Sequence, residues 1–535
     1  MISDSTELRR IIALPRRQLD LEESFELKQS QCSCAKNRRE CLRALHPIQA
    51  TALSEAAREG GLFAPIAVGA GKTLLGLLLP LALQVERTVY LCLAGQEEQI
   101  RREHAWAAEH VMVPPLGPRG LSIVSYHVLS RPESTRLLFD LRPDLIIADE
   151  AHKLRHRSSV TTRRVLLYLA EHERTKMVAW SGTLTSRSLA DYAHLGAMTL
   201  RDLSPFPVRP DVVSDWATVL DEGAFEAPGM LQQLCRKGES VRQGFHRRMI
   251  ETPGVVYSQE RAEALPRLSF EWRALSIPGA VSEAYEGVLR SWERPDGEEL
   301  VDAVEHWRVL NQVACGYYYS WDFGDADPEL VIAWRAARKA WHRELRELLK
   351  RPQPGRDSPA LVERAIARGE VVSESWSVWR AVALKVNPMT VTTWIDDYLI
   401  RDAKRFAAGP PAIVWYQGSA IGSELSDAMP VYDDQGALID AIETLGHQSI
   451  ALSIDACGTG VDGLQRAFTR QLVATPLQSG AKWEQLIGRT HRHGQRSSVT
   501  VYVYDRDTNQ IEQAKGEARY IQETMGISQK LLTWQ

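Results

Sequence analysis

"FAPIAVGAGKTLLGLLLPLAL", Phe63 to Leu83, is an apolar run, a glycine-punctuated turn and a second apolar run. The run before Gly69 is short enough for a buried strand. The run after Lys72 is long enough for a helix, which Pro80 kinks or ends. Between them Gly69, Ala70 and Gly71 carry no bulky side chain, so backbone N–H groups can turn inward around an anion. In that geometry Lys72 reaches the β- and γ-phosphates of a nucleotide and the Thr73 hydroxyl ligates Mg²⁺. The full phosphate-loop pattern has a glycine where this chain has Ile66. Taken alone, the turn has a second reading, in which the glycines only pack a helix on a sheet.

The stretch "PDLIIADEAHKLRH", Pro143 to His156, favours the first reading. It is an apolar strand ending in Asp-Glu-Ala-His, and the carboxyl end of a buried strand is where an α/β nucleotidase places metal and water. Asp149 is expected to hold Mg²⁺ and Glu150 to polarise the attacking water. A solvated acidic strand end is the alternative, but it does not account for the loop upstream. Nucleotide hydrolysis is the leading reading.

Composition bounds the rest. A chain of 535 residues fits three to four units of about 150 residues. It is 44% hydrophobic and 25% charged, the usual balance of a soluble globular protein. No stretch approaches the ~18 uninterrupted apolar residues of a membrane span. The first twenty residues mix charges into their apolar run and do not read as a signal peptide. Seven cysteines, an odd number, point to a reducing compartment, and a cytoplasmic protein is expected. With a net charge of −4, nucleic-acid binding has to come from local basic surfaces.

Further motifs follow in a fixed order. "LRALHPIQATAL" (Leu42 to Leu53) precedes the phosphate loop, and "LSIVSYHVLS" (Leu121 to Ser130) and "AWSGTLTSRSLADYAHL" (Ala179 to Leu195) flank the acidic strand. The segment from Arg247-Arg248 through Leu265-Pro266 to Tyr285 comes next, then "VLNQVACGYYY" and "PAIVWYQGSAIGSELSDA". "ALSIDACGTGVDGLQRA" (Ala451 to Ala467) and "EQLIGRTHRHGQ" (Glu484 to Gln495) close the set. Together they resemble the two-lobed superfamily 2 helicase-like ATPases, and specifically their Swi/Snf-like branch, over roughly Leu42 to Asp505. Departures include Leu184 for a proline, Arg187 and Gln465 for asparagines, and Gly488 where an aspartate is common. The compactness of the chain suggests a bacterial or phage member.

The resemblance implies an α/β fold of two RecA-like lobes, parallel sheets flanked by helices, with a mainly helical insertion between them. The divisions expected are an N-terminal segment 1–40, a first lobe 41–250, a bridging helical insertion 251–385 and a second lobe 386–535. It implies ATP and Mg²⁺ in the crevice between the lobes, with Gln49 sensing adenine and Gly460, Asp462 and Gln485 completing the nucleotide site. Arg489 and Arg492 are then cationic fingers for the γ-phosphate. A metal reading of His491 and His493 lacks a Cys, Asp or Glu at ligand spacing. His491 is expected instead to orient an inter-lobe hydrogen bond.

The implied partner is DNA, probed through its backbone, with Ser125, Tyr126, Ser181, Gly182 and Thr183 along its path. Basic clusters at Arg155 to Arg157, Arg163-Arg164 and His246 to Arg248 read either as added grip or as solvated faces. More than half of the fifteen tryptophans fall between residues 270 and 385. At helical spacing they are expected to pack the insertion, with an aromatic-basic nucleic-acid wedge as the alternative. Cys32, Cys34, Cys41 and His46 offer an unusual zinc spacing, and free thiols are the default. The function expected is an ATP-dependent translocase on duplex DNA that remodels or displaces bound protein. Its rivals are a strand-separating helicase and a nucleotide-gated DNA-binding switch or subunit of a larger complex.

Overall fold

The apolar runs of the first half form one parallel sheet. Its strands are β1 (Leu62–Ala64), β2 (Thr88–Cys92), β3 (Leu121–Ser125), β4 (Leu145–Asp149) and β5 (Lys176–Trp180), in the order β1-β5-β4-β2-β3. Every residue of β2 and β4 is buried, as a parallel sheet covered on both faces requires. The computed structural model describes residues 5–17, 45–66, 71–182, 184–185, 187–221, 229–257, 265–298, 300, 303–350, 359–492 and 494–534.

Helices cover this first lobe. The N-terminal α1 (Ser5–Ala13) sends Leu8 and Ile11 into its core, so this part of the terminal segment belongs to the lobe. α2 (Pro47–Glu59) carries Gln49, and α3 (Lys72–Ala82) starts at the Gly71 turn. α3 runs two residues past Pro80; Pro80 sits in its last turn, where one lost hydrogen bond is tolerated. Then come α4 (Glu97–Ala108), the short α5 (Tyr126–Ser130) and α6 (Val241–Ile250).

The chain leaves the first lobe beside β1. Gly254 O accepts from Phe63 N at 2.9 Å, and Val256 N donates to Phe63 O at 3.1 Å. It then enters the second sheet through β6 (Leu268–Arg273), which pairs in parallel with β13 (Val499–Tyr504). The expected boundary at 386 is corrected here: the second sheet has a strand within residues 251–385. Its order is β10-β11-β9-β12-β13-β6, with β9 (Ile413–Tyr416), β10 (Val431–Tyr432), β11 (Ile450–Ser453), β12 (Arg470–Val473) and β13 (Val499–Tyr504). As an edge strand β6 is half exposed, so it lacks the continuous apolar run that marks a central parallel strand.

The remainder of the 251–385 stretch is mainly helical. α7 (Gly279–Ser291) packs on α8 (Ala303–Ala314). An antiparallel ribbon of β7 (Tyr317–Asp322) and β8 (Met389–Trp394) then carries a head made of α9 (Pro328–Lys350), α10 (Pro359–Ala367) and α11 (Glu374–Ala383). Trp334 and Trp341 are buried within the head. Trp334 stacks edge-on against Trp321 and Trp379 at 5.0 and 5.3 Å, and Arg338 lies 4.6 Å over Trp321. These tryptophans pack the insertion.

In the second lobe α12 (Gln435–Ala441) and α13 (Gly480–Thr490) face the first lobe, and α14 (Thr508–Met525) crosses back to it. Met525 and Ile527 are fully or almost fully buried in the first lobe's core. His246 on α6 donates from Nδ1 to Thr524 O at 2.8 Å. Among the described residues no helix is long and apolar enough to cross a membrane.

Candidate active site

The site begins at the carboxyl end of β4. Asp149 is buried, and strands on either side supply its donors: Tyr90 OH from β2 reaches Oδ2 at 3.1 Å and Trp180 Nε1 from β5 reaches Oδ1 at 2.8 Å. Tyr126 OH donates to the Asp149 carbonyl at 2.7 Å. Burial and the neighbouring Glu150 charge push the Asp149 carboxyl up, against Lys72, Trp180 and Tyr90.

Glu150 turns the chain with φ 50°, in the left-handed region that non-glycine residues rarely adopt. The turn aims its side chain back into the site. Glu150 Oε2 accepts from Ser181 Oγ at 2.7 Å and lies 3.2 Å from His152 Nδ1, and Oε1 lies 3.8 Å from Lys72 Nζ. Burial works against its charge, but Lys72, His152 and Ser181 outweigh it and hold Glu150 well below the usual carboxylate range. Two adjacent carboxyls thus shift in opposite directions, Asp149 up and Glu150 down.

The side of the site at the glycine turn is set by α2 and α3. Gln49 Nε2 donates to Gly71 O at 2.8 Å, while Gln49 Oε1 accepts from His46 N at 2.9 Å. Gly71 has φ 71°, and a Cβ there would stand 2.4 Å from Gln49 Nε2, so only glycine fits. Lys72 Nζ donates to Ile66 O at 3.3 Å. Thr73 hydrogen-bonds Glu103, whose carboxyl burial pushes up and Gln99 Nε2 reaches at 3.0 Å. Glu103, on α4, is an acid at the site that the motif reading missed; its position three residues after Ile100 on a helix was the available signal. Gly69 and Ala70 lie outside the described residues.

The second lobe brings its arginines to this face. Arg489, buried, donates from Nη1 to Val461 O at 2.6 Å and from Nε to Gln485 O at 3.2 Å. Burial and then the Arg492 guanidinium push it down to about 10, while Glu150 of the first lobe and Asp462 pull it up. It remains a cation at neutral pH. Arg492 Nη1 lies 3.2 Å from Asp462 Oδ1, which also accepts from Gly463 N at 2.8 Å and Gln465 Nε2 at 3.0 Å. Burial opposes the Asp462 charge, and these partners hold it below the usual range nonetheless. Gln485 is buried beside them.

Two glycines allow the lobes to approach. Gly95 has φ 88°, and a Cβ there would meet Gln435 Oε1 of α12 at 2.4 Å. Gly460 has φ 76°, and a Cβ there would stand 3.0 Å from Gln96 Cγ of the first lobe. Candidates on the two lobes are therefore brought together: Gly460 against Gln96, and Arg489 within reach of the Glu150 charge.

The residues read as DNA contacts are placed differently. Ser125 is buried and caps α5, accepting from Val128 N at 3.4 Å. Tyr126 is committed to Asp149, Ser181 to Glu150, and Gly182 is buried. Thr183 lies outside the described residues. Two basic clusters are also internal: Arg164 donates to Leu129 O and Arg131 O, and Arg248 to Ile11 O and Leu14 O. Arg155 and Arg157 are surface residues. His491 Nε2 bonds Pro266 O at 2.7 Å, on the segment joining the lobes; His493 lies outside the described residues, as do Cys32, Cys34 and Cys41. His46 is exposed ahead of α2.

No family model matches the chain, and no curated protein is significantly similar to it.

Proposed function

We propose that the chain is a nucleic-acid-dependent ATPase of the Swi/Snf-like kind, a translocase that moves on duplex DNA and remodels or displaces bound protein. The observation that carries this reading is the convergence of Lys72 and Glu150 from one lobe with buried Arg489 from the other. Neither lobe holds all three charges, so turnover requires closure.

The residues fit a nucleotide with Mg²⁺. Gly71 holds a left-handed φ that suits glycine, with the Gln49 amide against it, Thr73 and Asp149 offer a hydroxyl and a carboxylate of the type Mg²⁺ prefers, and Lys72 and Arg489 match phosphate charge. When bound, the pair supplies a polarised γ-phosphoryl group. Glu150, held ionised, accepts a hydrogen bond from the attacking water and so orients and polarises it, and is kept in place by Ser181 and His152. Arg489 sets its planar donors against charge that grows on the phosphoryl oxygens, a contribution of about 10³–10⁵ in rate where such fingers act. Asp462 holds Arg492 in position. Because Arg489 travels with the second lobe, each cycle of closure and release displaces one lobe against the other.

DNA grip falls to backbone amides and surface cations, since the hydroxyls first read as contacts are engaged internally. A roadblock assay tests the reading. ATP-dependent displacement of a protein bound to blunt duplex DNA supports it, and strand separation of a tailed duplex without displacement would favour the helicase.

A further inference from the structure

The helical head has a charge character unlike the rest of the chain. Residues 328 to 388 hold twelve Lys and Arg against seven Asp and Glu, in a chain that totals 64 against 68. The excess is ordered along α9. Trp334, Ala337, Trp341 and Leu345 form its buried side. Arg335, Lys339, Arg343 and Arg346 follow at steps of four, four and three, which places them on one other face. At 1.5 Å per residue that stripe is ~17 Å long. Glu344 is turned off it, accepting from Ser373 Oγ at 2.9 Å and from Ser375. Arg335 at one end pairs with Glu298 at 3.0 Å, and Arg343 is exposed.

The location matters as much as the charge. The head stands on the β7–β8 ribbon, which is rooted in the second lobe: Tyr319 OH lies 2.9 Å from Ser419 Oγ. Yet Arg364 of the head meets Glu133 of the first lobe at 3.2 Å, one turn beyond α5 and the Ser125–Tyr126 segment. An exposed pair of this kind contributes little stability, so it marks position. The head thus reaches from the second lobe to the first. Trp334 and Trp341 are packed beneath α9 rather than offered to a partner.

We propose that the head is a second DNA-backbone contact outside the inter-lobe crevice, gripping duplex phosphates through Lys339, Arg343 and Arg346. It rests on the DNA reading above. A straight cationic stripe without an aromatic anchor suits a linear polyanion better than a protein surface, whose recognition centres on buried apolar hot spots. A ~17 Å stripe lies along about five base pairs, each carrying two phosphate charges.

The test uses the full chain and a duplex of about 40 base pairs. Binding is measured from low to moderate salt for wild type, for K339Q/R343Q/R346Q and for the charge-keeping R343K/R346K. The glutamine variant should lose up to ~3 in the slope of log affinity against log salt, at ~0.9 per phosphate. It should bind at least tenfold more weakly near physiological salt, while ATPase without DNA and the thermal midpoint stay near wild type. The lysine variant should keep the slope. If wild type binds duplex and the glutamine variant shows the same slope, this inference is wrong and the DNA reading stands. A variant that keeps duplex binding but loses poly-L-glutamate binding would assign the stripe to an acidic protein and also overturn it. If wild type neither binds nor responds to any nucleic acid, the DNA reading itself fails, and this inference with it.

Discussion

Ser181 Oγ donates a 2.7 Å hydrogen bond to Glu150 Oε2, so the residue just beyond β5 holds the carboxylate just beyond β4. A hydrogen bond to a charged group contributes about 1.5–3 kcal/mol. Ser181→Ala should therefore lower kcat for ATP hydrolysis about tenfold to a hundredfold with KM within a few-fold, and Ser181→Thr should restore most of it. Steady-state phosphate release decides; a change confined to KM would assign Ser181 to binding instead.

Arg489 and Arg492 should separate. Arg489 is buried, bonded within its own lobe and within reach of the Glu150 charge, whereas Arg492 is engaged by Asp462. Arg489→Ala should cost ~10³ in kcat, and Arg489→Lys should rescue little because a point charge does not reproduce the planar fork. ADP affinity, measured by calorimetry, should change far less than kcat. A loss of affinity as large as the loss of rate would contradict the finger role.

The contact between lobes depends on two glycines. Gly95→Ala and Gly460→Ala each put a methyl into the opposite lobe and force a left-handed φ on alanine. Each should reduce hydrolysis at least tenfold while the first lobe still binds ADP within about threefold of wild type. Rapid nucleotide titration alongside turnover measures both. Unchanged turnover would mean that hydrolysis does not need this closed arrangement.

The C-terminal return to the first lobe should be structural and pH-sensitive. Ile527→Ala, a large-to-small change at a buried site, should destabilise by about 2–5 kcal/mol. His246 and His194 are both pushed down by burial and donate to carbonyls, Thr524 O and Leu154 O. Their unfolded forms take up a proton first as pH falls, so stability is full above about pH 6.5 and is lost as pH drops below it. A thermal midpoint that falls from pH 6.5 towards 5, with a shallower fall in His246→Gln, is the expected result; an unaltered slope in that variant would remove the His246–Thr524 contact from the account.

Much of this architecture was legible from residue order, and the exceptions have physical causes. Strands such as Leu145–Asp149 are continuous apolar runs, and the acidic pair at the end of one locates a crevice. The donors to Asp149 were not legible, because Tyr90 and Trp180 reach it only through the lateral order of β2, β4 and β5. Nor was β6, whose membership of the second sheet is decided by pairing with β13 across more than 200 residues. Arg164 and Arg248 read as surface charge, yet each satisfies carbonyls at the end of a helix, a role that depends on tertiary neighbours. Ser181 was assigned to DNA for the same reason: sequence places it after β5 but not beside Glu150.

The most direct test of the central claim is ATP hydrolysis with no nucleic acid, with single-stranded DNA, with duplex DNA and with RNA, each alongside Glu150→Gln. The account predicts low basal turnover, the largest stimulation by duplex DNA and near-complete loss in Glu150→Gln under every condition. Equal rates in all four conditions, or turnover that survives Glu150→Gln, would contradict it.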